Sequence, residues 1–136
     1  MNKMFLMSIC LLCVGTAQAQ QRFGTIGRKD LSHLTGEQIY THICQGCHMP
    51  DAKGAVGAGH YPALAADGKL ASAAYPAAMV INGRGNMPAF GPMFTDAQVA
   101  DVVNFVRTHF GNTYTDVLKP DDVKAFRPPA NPRENH

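Results

Sequence analysis

Cys44-Gln45-Gly46-Cys47-His48 places two thiols three positions apart and an imidazole directly after the second thiol. On the last turn of a helix, side chains at this spacing lie on one side, so both sulfur atoms can reach one edge of a flat ring. The side chain of His48 is then directed under that ring, where an imidazole nitrogen can bind iron. The spacing favours a porphyrin bound covalently through Cys44 and Cys47, with His48 as an iron ligand.

The same cysteine spacing also occurs in disulfides, zinc sites and thiol redox proteins. A plain C-x-x-C would suit a disulfide or half of a zinc site equally well. The sequence offers no second pair near this one, and His33, His42 and His60 make no familiar ligand spacing. A thioredoxin-like redox pair would need a βαβ pattern, which the sequence lacks. The C-x-x-C-H pattern therefore predicts one covalently attached haem c.

A second iron ligand is expected from a methionine further along the chain. Met49 directly follows the imidazole ligand and is too close to reach the opposite face of the ring. Met79 lies within a predicted helix, where methionine commonly fills gaps in the core. Met87 precedes Pro88 in a loop flanked by glycines, whose backbone can bend closely against a flat cofactor. The sequence favours Met87, with Met93 or a purely core role for these side chains as alternatives.

The chain begins with the features of a leader for export. Lys3 provides a positive charge, residues 4–14 form a mostly apolar run, and an Ala-x-Ala pattern at 17–19 suits a signal peptidase. The apolar run is too short to span a bilayer as a helix. We predict a signal peptide over residues 1–19, cleavage before Gln20, and a periplasmic mature protein without an integral membrane segment. An uncleaved membrane anchor is the alternative.

Composition limits the partners of the mature chain. Cys10 and Cys13 lie inside the leader and are expected to be removed with it, so that only the pair at 44 and 47 remains. Lys and Arg number 12 against 10 Asp and Glu, which makes the protein nearly neutral. This balance gives no electrostatic case for binding nucleic acid or an anionic membrane surface.

Helical signals dominate the remaining chain, and the sequence has no run of alternating strand pattern. Thr35 and Gln38 have the spacing of a capping box, which opens a helix that runs into the cysteine pair. A long loop rich in Gly and Ala is predicted over residues 49–73. A short helix then has Pro76 in its first turn, and a second capping box at Thr95 opens the last strong helix.

That last helix carries one apolar stripe at helical period and is expected to end at Gly111 in the left-handed conformation. The stripe comprises Val99, Val102, Val103, Val106 and Phe110. A brief helical turn is predicted at 121–126, and the polar, proline-rich residues 128–136 are expected to be disordered. The predicted fold class is all-α. It places an N-terminal extension at 20–34, a single domain at 35–112 and a C-terminal extension at 113–136.

Between Gly36 and about Phe110 the sequence resembles the class I cytochromes c. Gly36, Tyr40 and Cys44 recur at the spacing of the family's N-terminal helix. Residues 101–106 (Asp-Val-Val-Asn-Phe-Val) are similar to its C-terminal helix. Val102 and Phe105 stand at the positions of that helix that usually contact the N-terminal helix where the two cross. The resemblance implies crossed N- and C-terminal helices around one haem. It also implies that the carbonyl of Pro62 accepts the Nδ1 hydrogen of His48 and orients that ligand.

A narrower similarity covers Tyr61 to about Asn112 and includes Tyr-Pro-Ala-Leu at 61–64 and Met-Pro-Ala-Phe-Gly at 87–91. These segments resemble a cytochrome domain of the membrane-bound alcohol and gluconate dehydrogenases. Those subunits carry several haems, whereas this chain has one C-x-x-C-H. The resemblance implies a periplasmic dehydrogenase as electron donor and an oxidase or another cytochrome as acceptor. The protein would be a carrier or a non-catalytic cytochrome subunit, and not an enzyme.

Ligation by His48 and Met87 would fill both axial positions of the iron and so predicts outer-sphere transfer of single electrons. A soft thioether ligand favours ferrous iron and raises the reduction potential relative to two histidines. Arg84 is a candidate partner for a haem propionate, and a solvated loop arginine is the alternative. Few charged residues lie between His48 and Thr95, so we expect largely apolar docking. A haem enzyme or gas sensor with a displaceable sixth ligand is the rival function.

Overall fold

The computed structural model describes residue 31, residues 33–57 and residues 59–129. The predicted signal peptide, its cleavage site and most of the N-terminal extension lie outside these residues. The last part of the predicted disordered end, from residue 130 onward, also lies outside them. No helix in the described part is long and apolar enough to cross a bilayer.

The N-terminal helix begins at the predicted capping box. The Oγ1 atom of Thr35 accepts a hydrogen bond from the Gln38 amide at 3.2 Å, and the Thr35 amide donates to Oε1 of Gln38 at 2.9 Å. Helix α1 covers Gly36–Ile39, a π-helical segment covers Tyr40–Cys44, and helix α2 covers Gln45–His48. No sequence pattern predicts the π-helical segment. Such wide turns are often found at functional sites, and this one carries the first cysteine of the motif.

The predicted loop over residues 49–73 contains regular structure of its own. Strand β1 (Ala55–Val56) pairs with the antiparallel strand β2 (His60–Tyr61), and a 3-10 helix covers Gly68–Ala71. The all-α prediction therefore describes the helical architecture but missed this hairpin. Strands of two residues are too short to produce an alternating pattern that a sequence can reveal.

Helix α3 covers Ala74–Asn82, and helix α4 covers Asp96–Thr108 behind the second capping box. The four valines of the predicted stripe are all buried on α4. This helix ends three residues before the predicted Gly111 stop. Phe110 and Gly111 both have positive φ, +58° and +82°, in the turn that follows.

Helices α1 and α4 cross with their backbones in close contact. A Cβ atom at Gly36 would fall on the backbone carbonyl of Asp101, so only glycine permits this approach. The ring of Tyr40 lies beside this crossing, with ring centroids 5.8 Å from Phe105 and 4.7 Å from Phe110. The crossing agrees with the arrangement that the family resemblance implies.

The chain after residue 112 packs on the same core. Leu118 and Val123 are buried, and the side-chain amide of Asn104 exchanges two hydrogen bonds of 2.9 Å with the backbone of Leu118. Helix α5 covers Pro120–Val123, and a 3-10 helix covers Lys124–Phe126, which confirms the short helical turn predicted there. The described part of the C-terminal extension is therefore integral to the fold.

Candidate haem-binding site

The two cysteines lie at the junction of the π-helical segment and α2, and both thiols are free. Cys44 is half-buried and Cys47 is exposed. Burial, and then the neighbouring Cys47, raise the pKa of the Cys44 thiol to about 11. Redox-active C-x-x-C pairs have a lowered thiol pKa instead, so the raised pKa of Cys44 does not favour a thioredoxin-like centre. Two free thiols, one directed inward and one at the surface, suit thioether bonds along a ring edge.

The imidazole of His48 is held by one well-defined contact. Nδ1 of His48 lies 2.9 Å from the carbonyl oxygen of Pro62, and the residue is only 9% exposed. A carbonyl can only accept, so the hydrogen is on Nδ1, and Nε2 keeps its lone pair for a metal. The contact is the one that the family resemblance implied.

The donor set fits a haem iron better than a metal bound by side chains alone. Within the described ranges, no three His, Cys, Asp or Glu side chains are grouped to hold a metal ion. An iron at His48 would therefore need equatorial donors from elsewhere, and a porphyrin supplies four nitrogen atoms. Cys44, Cys47 and His48 together are the side chains that could hold such a group.

The turn after the motif is held by Tyr40. The Tyr40 hydroxyl donates to the backbone carbonyl of Met49 at 2.8 Å, where φ is +67°, a conformation that is uncommon for a residue other than glycine. Burial is the main reason that the pKa of Tyr40 is raised to about 12, with smaller contributions from Cys44 and Asp51. This hydroxyl was not identified from the sequence, where Tyr40 is only an aromatic residue at a helix-packing position.

The loop that carries Met87 is a tight turn. The backbones of Arg84 and Met87 exchange two hydrogen bonds of 3.0 Å around Gly85-Asn86, and Met87 is half-buried. The turn is entered through Gly83, whose φ is +67°. A Cβ atom at Gly83 would lie 2.5 Å from the carbonyl oxygen of Met87, so the turn requires glycine there.

The other methionines and Arg84 differ from Met87 in their surroundings. Met79 lies within α3, as predicted, and is half-buried. Met93, five residues after Pro88 in the sequence, is 43% exposed. The side chain of Arg84 is exposed, which is compatible both with a propionate partner and with a solvated arginine.

Two buried polar residues near the end of α4 support the loop that carries Pro62. The amide of Asn112 donates to the carbonyls of Leu64 at 2.8 Å and Val106 at 2.9 Å, and its oxygen accepts from the Asp67 amide at 3.0 Å. Arg107, fully buried, donates to the carbonyl of Leu70 at 2.8 Å. Neither role is predictable from the sequence, because a polar side chain near a helix end is normally exposed to solvent.

A C-x-x-C-H helix crossed by a C-terminal helix, with its histidine held by a proline carbonyl, defines a cytochrome c type of protein. The chain belongs to the family described as cytochrome c oxidase, cbb3-type, subunit III, whose model matches residues 32–106. Membership implies a haem c cofactor and a role in electron transfer.

Three relatives show the range of proteins to which the chain is similar. It is 36% identical over 119 residues to the fructose dehydrogenase cytochrome subunit of Gluconobacter japonicus, an alignment that covers 74% of this chain. It is 31% identical over 105 residues to the gluconate 2-dehydrogenase cytochrome c subunit of Pantoea cypripedii, covering 68% of this chain. In each case the match covers 24% of the relative, so the chain spans about a quarter of those subunits. Cytochrome c6 of Alaria esculenta is 35% identical over 83 residues, which cover 54% of this chain and 86% of that protein.

Proposed function

We propose that this protein is a periplasmic electron carrier with one haem c, bound through Cys44 and Cys47 and ligated by His48 and Met87. The observation that carries the proposal is the contact between His48 Nδ1 and the Pro62 carbonyl at 2.9 Å. That contact fixes the tautomer and the ring plane of the proximal ligand before any metal is bound. The haem, when bound, supplies the reversible one-electron couple.

Side chains of the protein would prevent small molecules from binding to the iron. Met87 would occupy the second axial position, and the two backbone hydrogen bonds of its turn would limit how far its sulfur atom can move. With both axial positions filled, oxygen or peroxide would have no open site, and electrons would pass through the ring edge. Arg84, the first residue of this turn, has an exposed side chain that would pair with a propionate.

The charged pair just after the C-x-x-C-H motif is consistent with largely apolar docking. Lys53 and Asp51, which lie just after the motif, form an ion pair of 3.3 Å and largely cancel each other. A paired lysine attracts an acidic partner only weakly at physiological salt. We propose a periplasmic dehydrogenase as donor and an oxidase or another cytochrome as acceptor. The relatives named as dehydrogenase cytochrome subunits support the first of these partners. The signal peptide would direct export and would be cleaved before Gln20.

The ligand assignment is tested by spectroscopy on protein matured with the haem-attachment machinery. The mass should increase by one haem, and the ferric protein should show the weak far-red charge-transfer band of sulfur bound to iron. Met87→Ala should abolish that band and allow the ferrous protein to bind carbon monoxide. Met93→Ala is the matched control and should keep the band. Loss of the band in Met93→Ala, or colourless protein, would contradict the proposal.

The partner is tested by purification from the native cells. Recovery of the protein in stoichiometric amounts with a larger dehydrogenase would identify it as a fixed subunit. Recovery alone, with rapid reduction by an added dehydrogenase, would identify a diffusing carrier. A steep fall of the reduction rate with added salt would contradict apolar docking.

A further inference from the structure

The described chain after residue 112 forms a segment that we call the C-terminal strap, residues 113–127. It lies beyond residues 32–106, the part that matches the family model. Near its start Asp116 binds Arg107, and in its middle Val123 is fully buried. Near its end the carbonyl of Phe126 accepts a hydrogen bond from the Asn82 side chain at 3.4 Å. The strap thus crosses α4 and ends beside α3.

The strap ends in an arginine whose three nitrogen atoms all bind one short segment. Arg127 donates from Nη1 to the carbonyl of Gly91 at 2.7 Å and from Nη2 to the carbonyl of Phe94 at 2.8 Å. Its Nε donates to the carboxylate of Asp96 at 2.6 Å. The Arg127 and Asp96 side chains are only 29% and 24% exposed, which shields the pair from solvent. These bonds join the strap to residues 91–94, between the Met87 turn and α4, and to Asp96, the first residue of α4.

The opposite side of that segment is held by α3. The Phe90 amide donates to the Val80 carbonyl at 2.9 Å, and the Gly91 amide donates to the Ile81 carbonyl at 3.0 Å. The rings of Phe90 and Phe94 stack with centroids 5.4 Å apart. Residues 90–94 are therefore clamped between α3 and Arg127. Phe90 follows Met87 by three residues, so movement of this segment changes where the methionine turn ends.

We propose that Arg127 is a positioning residue for the sixth iron ligand, an inference that rests on the proposed ligation by Met87. By clamping residues 90–94 against α3, Arg127 restricts the excursions in which the sulfur atom leaves the iron. A small basic ligand such as imidazole competes for the same axial position and binds only when Met87 has left. Its apparent affinity therefore reports the fraction of molecules with the sulfur atom displaced.

The test uses imidazole binding to the full-length ferric holoprotein, well below its melting temperature. Arg127→Met keeps most of the aliphatic stem but removes all three donors. This substitution should lower the apparent dissociation constant for imidazole roughly tenfold and weaken the far-red band. Amide hydrogen exchange at Phe90 and Gly91 should become faster. Lys119→Met, on the exposed surface of the same strap, is the matched control and should leave all three readouts unchanged.

The outcomes separate this inference from the proposed function. Unchanged imidazole affinity in Arg127→Met, whatever its melting temperature, would mean that the clamp has only a structural role and would overturn the inference. Should Arg127→Met fail to mature, Arg127→Lys retains charge but not the fork of donors, and it should tighten imidazole binding by a smaller factor. Wild-type affinity in that variant would overturn the inference equally. Absence of the far-red band from the wild-type protein would overturn the ligation by Met87, and this inference with it.

Discussion

At the residue scale, the site depends on a few backbone groups whose positions are set by buried side chains. Pro62 binds His48 through its carbonyl, so no substitution of the Pro62 side chain removes the acceptor itself. The position of that carbonyl depends on the loop around it, which Asn112 holds at Leu64 and Asp67. The orientation of the His48 ring thus depends on Asn112, which lies just after α4 and far along the sequence from the C-x-x-C-H motif.

The conformation of Gly83 leads to the first prediction. Gly83→Ala combines a strained φ of +67° with a Cβ atom 2.5 Å from the Met87 carbonyl oxygen, so the methionine turn must shift. We expect a loss of about 3 kcal/mol in the free energy of unfolding, measured by denaturant titration, and a weaker far-red band.

Gly85→Ala is the control for this prediction. Gly85 also has a positive φ, +59°, but a Cβ atom there would meet nothing within 4 Å. Only backbone strain remains, so its cost should be about 1 kcal/mol and the far-red band should stay. Equal effects of the two substitutions would show that the contact with Met87 is unimportant.

The ion pair between Arg107 and Asp116 leads to a prediction about pH. The pKa of Asp116 lies below its usual 3.8, mainly because its carboxylate accepts a hydrogen bond from Arg107. A lowered folded-state pKa means that the pair stabilises the fold above about pH 4 and that this stabilisation disappears as the pH falls through the lowered value. Asp116→Asn should unfold at lower denaturant concentration than wild type at pH 7, and the difference should vanish well below pH 4.

The matched control for the pH prediction is Asp101→Asn, an exposed carboxylate on α4. It should unfold like wild type at both pH values. A stability difference for Asp116→Asn that stays constant down to acidic pH would mean that the carboxylate charge does not contribute. The cause would then have to be a change in packing or backbone.

The candidate haem-attachment residues Cys44 and Cys47, with His48, could be proposed from the sequence because they lie in one contiguous pattern. Pro62 required a family resemblance, since a proline in a loop carries no sign of what its carbonyl binds. Arg107 and Asn112 were not identifiable. Their roles depend on which carbonyls lie near the end of α4, and that is decided by tertiary packing between segments some 37 to 48 positions apart.

At the element scale, helix boundaries followed local signals closely where those signals were strong. Both capping boxes are present, and the valine stripe of α4 is buried as its period predicted. The early end of α4 had no such signal: Phe110 belongs to the apolar stripe but adopts a left-handed conformation. The ring of Phe110 still packs on Tyr40. The contact with the N-terminal segment is therefore kept although the helix does not continue to this residue.

The helix crossing leads to a prediction at this scale. Gly36→Ala places a Cβ atom on the Asp101 carbonyl, which belongs to the rigid backbone of α4, so the two helices must separate. We expect a loss of about 3 kcal/mol in unfolding free energy, measured by denaturant titration of the holoprotein. Gly68→Ala is the control, because a Cβ atom there meets nothing within 4 Å, and its effect should stay within about 0.5 kcal/mol. A Gly36→Ala protein as stable as this control would contradict the close crossing.

At the scale of the whole molecule, the family match and the folded unit differ in length. The match ends at residue 106, yet the strap after residue 112 covers part of the same core and contributes Leu118 and Val123 to it. The sequence predicts a domain boundary at residue 112, where the last strong helical pattern ends. Two buried side chains in a mostly polar segment are too weak a signal to move that boundary.

Truncation tests whether the strap belongs to the folding unit. A chain ending at Asn112 loses the burial of Leu118 and Val123, worth about 4 kcal/mol together, and leaves the buried Arg107 without its carboxylate. This loss is comparable to the whole stability of a small domain, so the truncated holoprotein should unfold at much lower denaturant concentration or fail to accumulate. A chain ending at Pro129 keeps every strap contact described above and should unfold like the full-length protein. If the two truncated chains unfold at the same denaturant concentration, the strap does not belong to the folding unit and the boundary at residue 112 is correct.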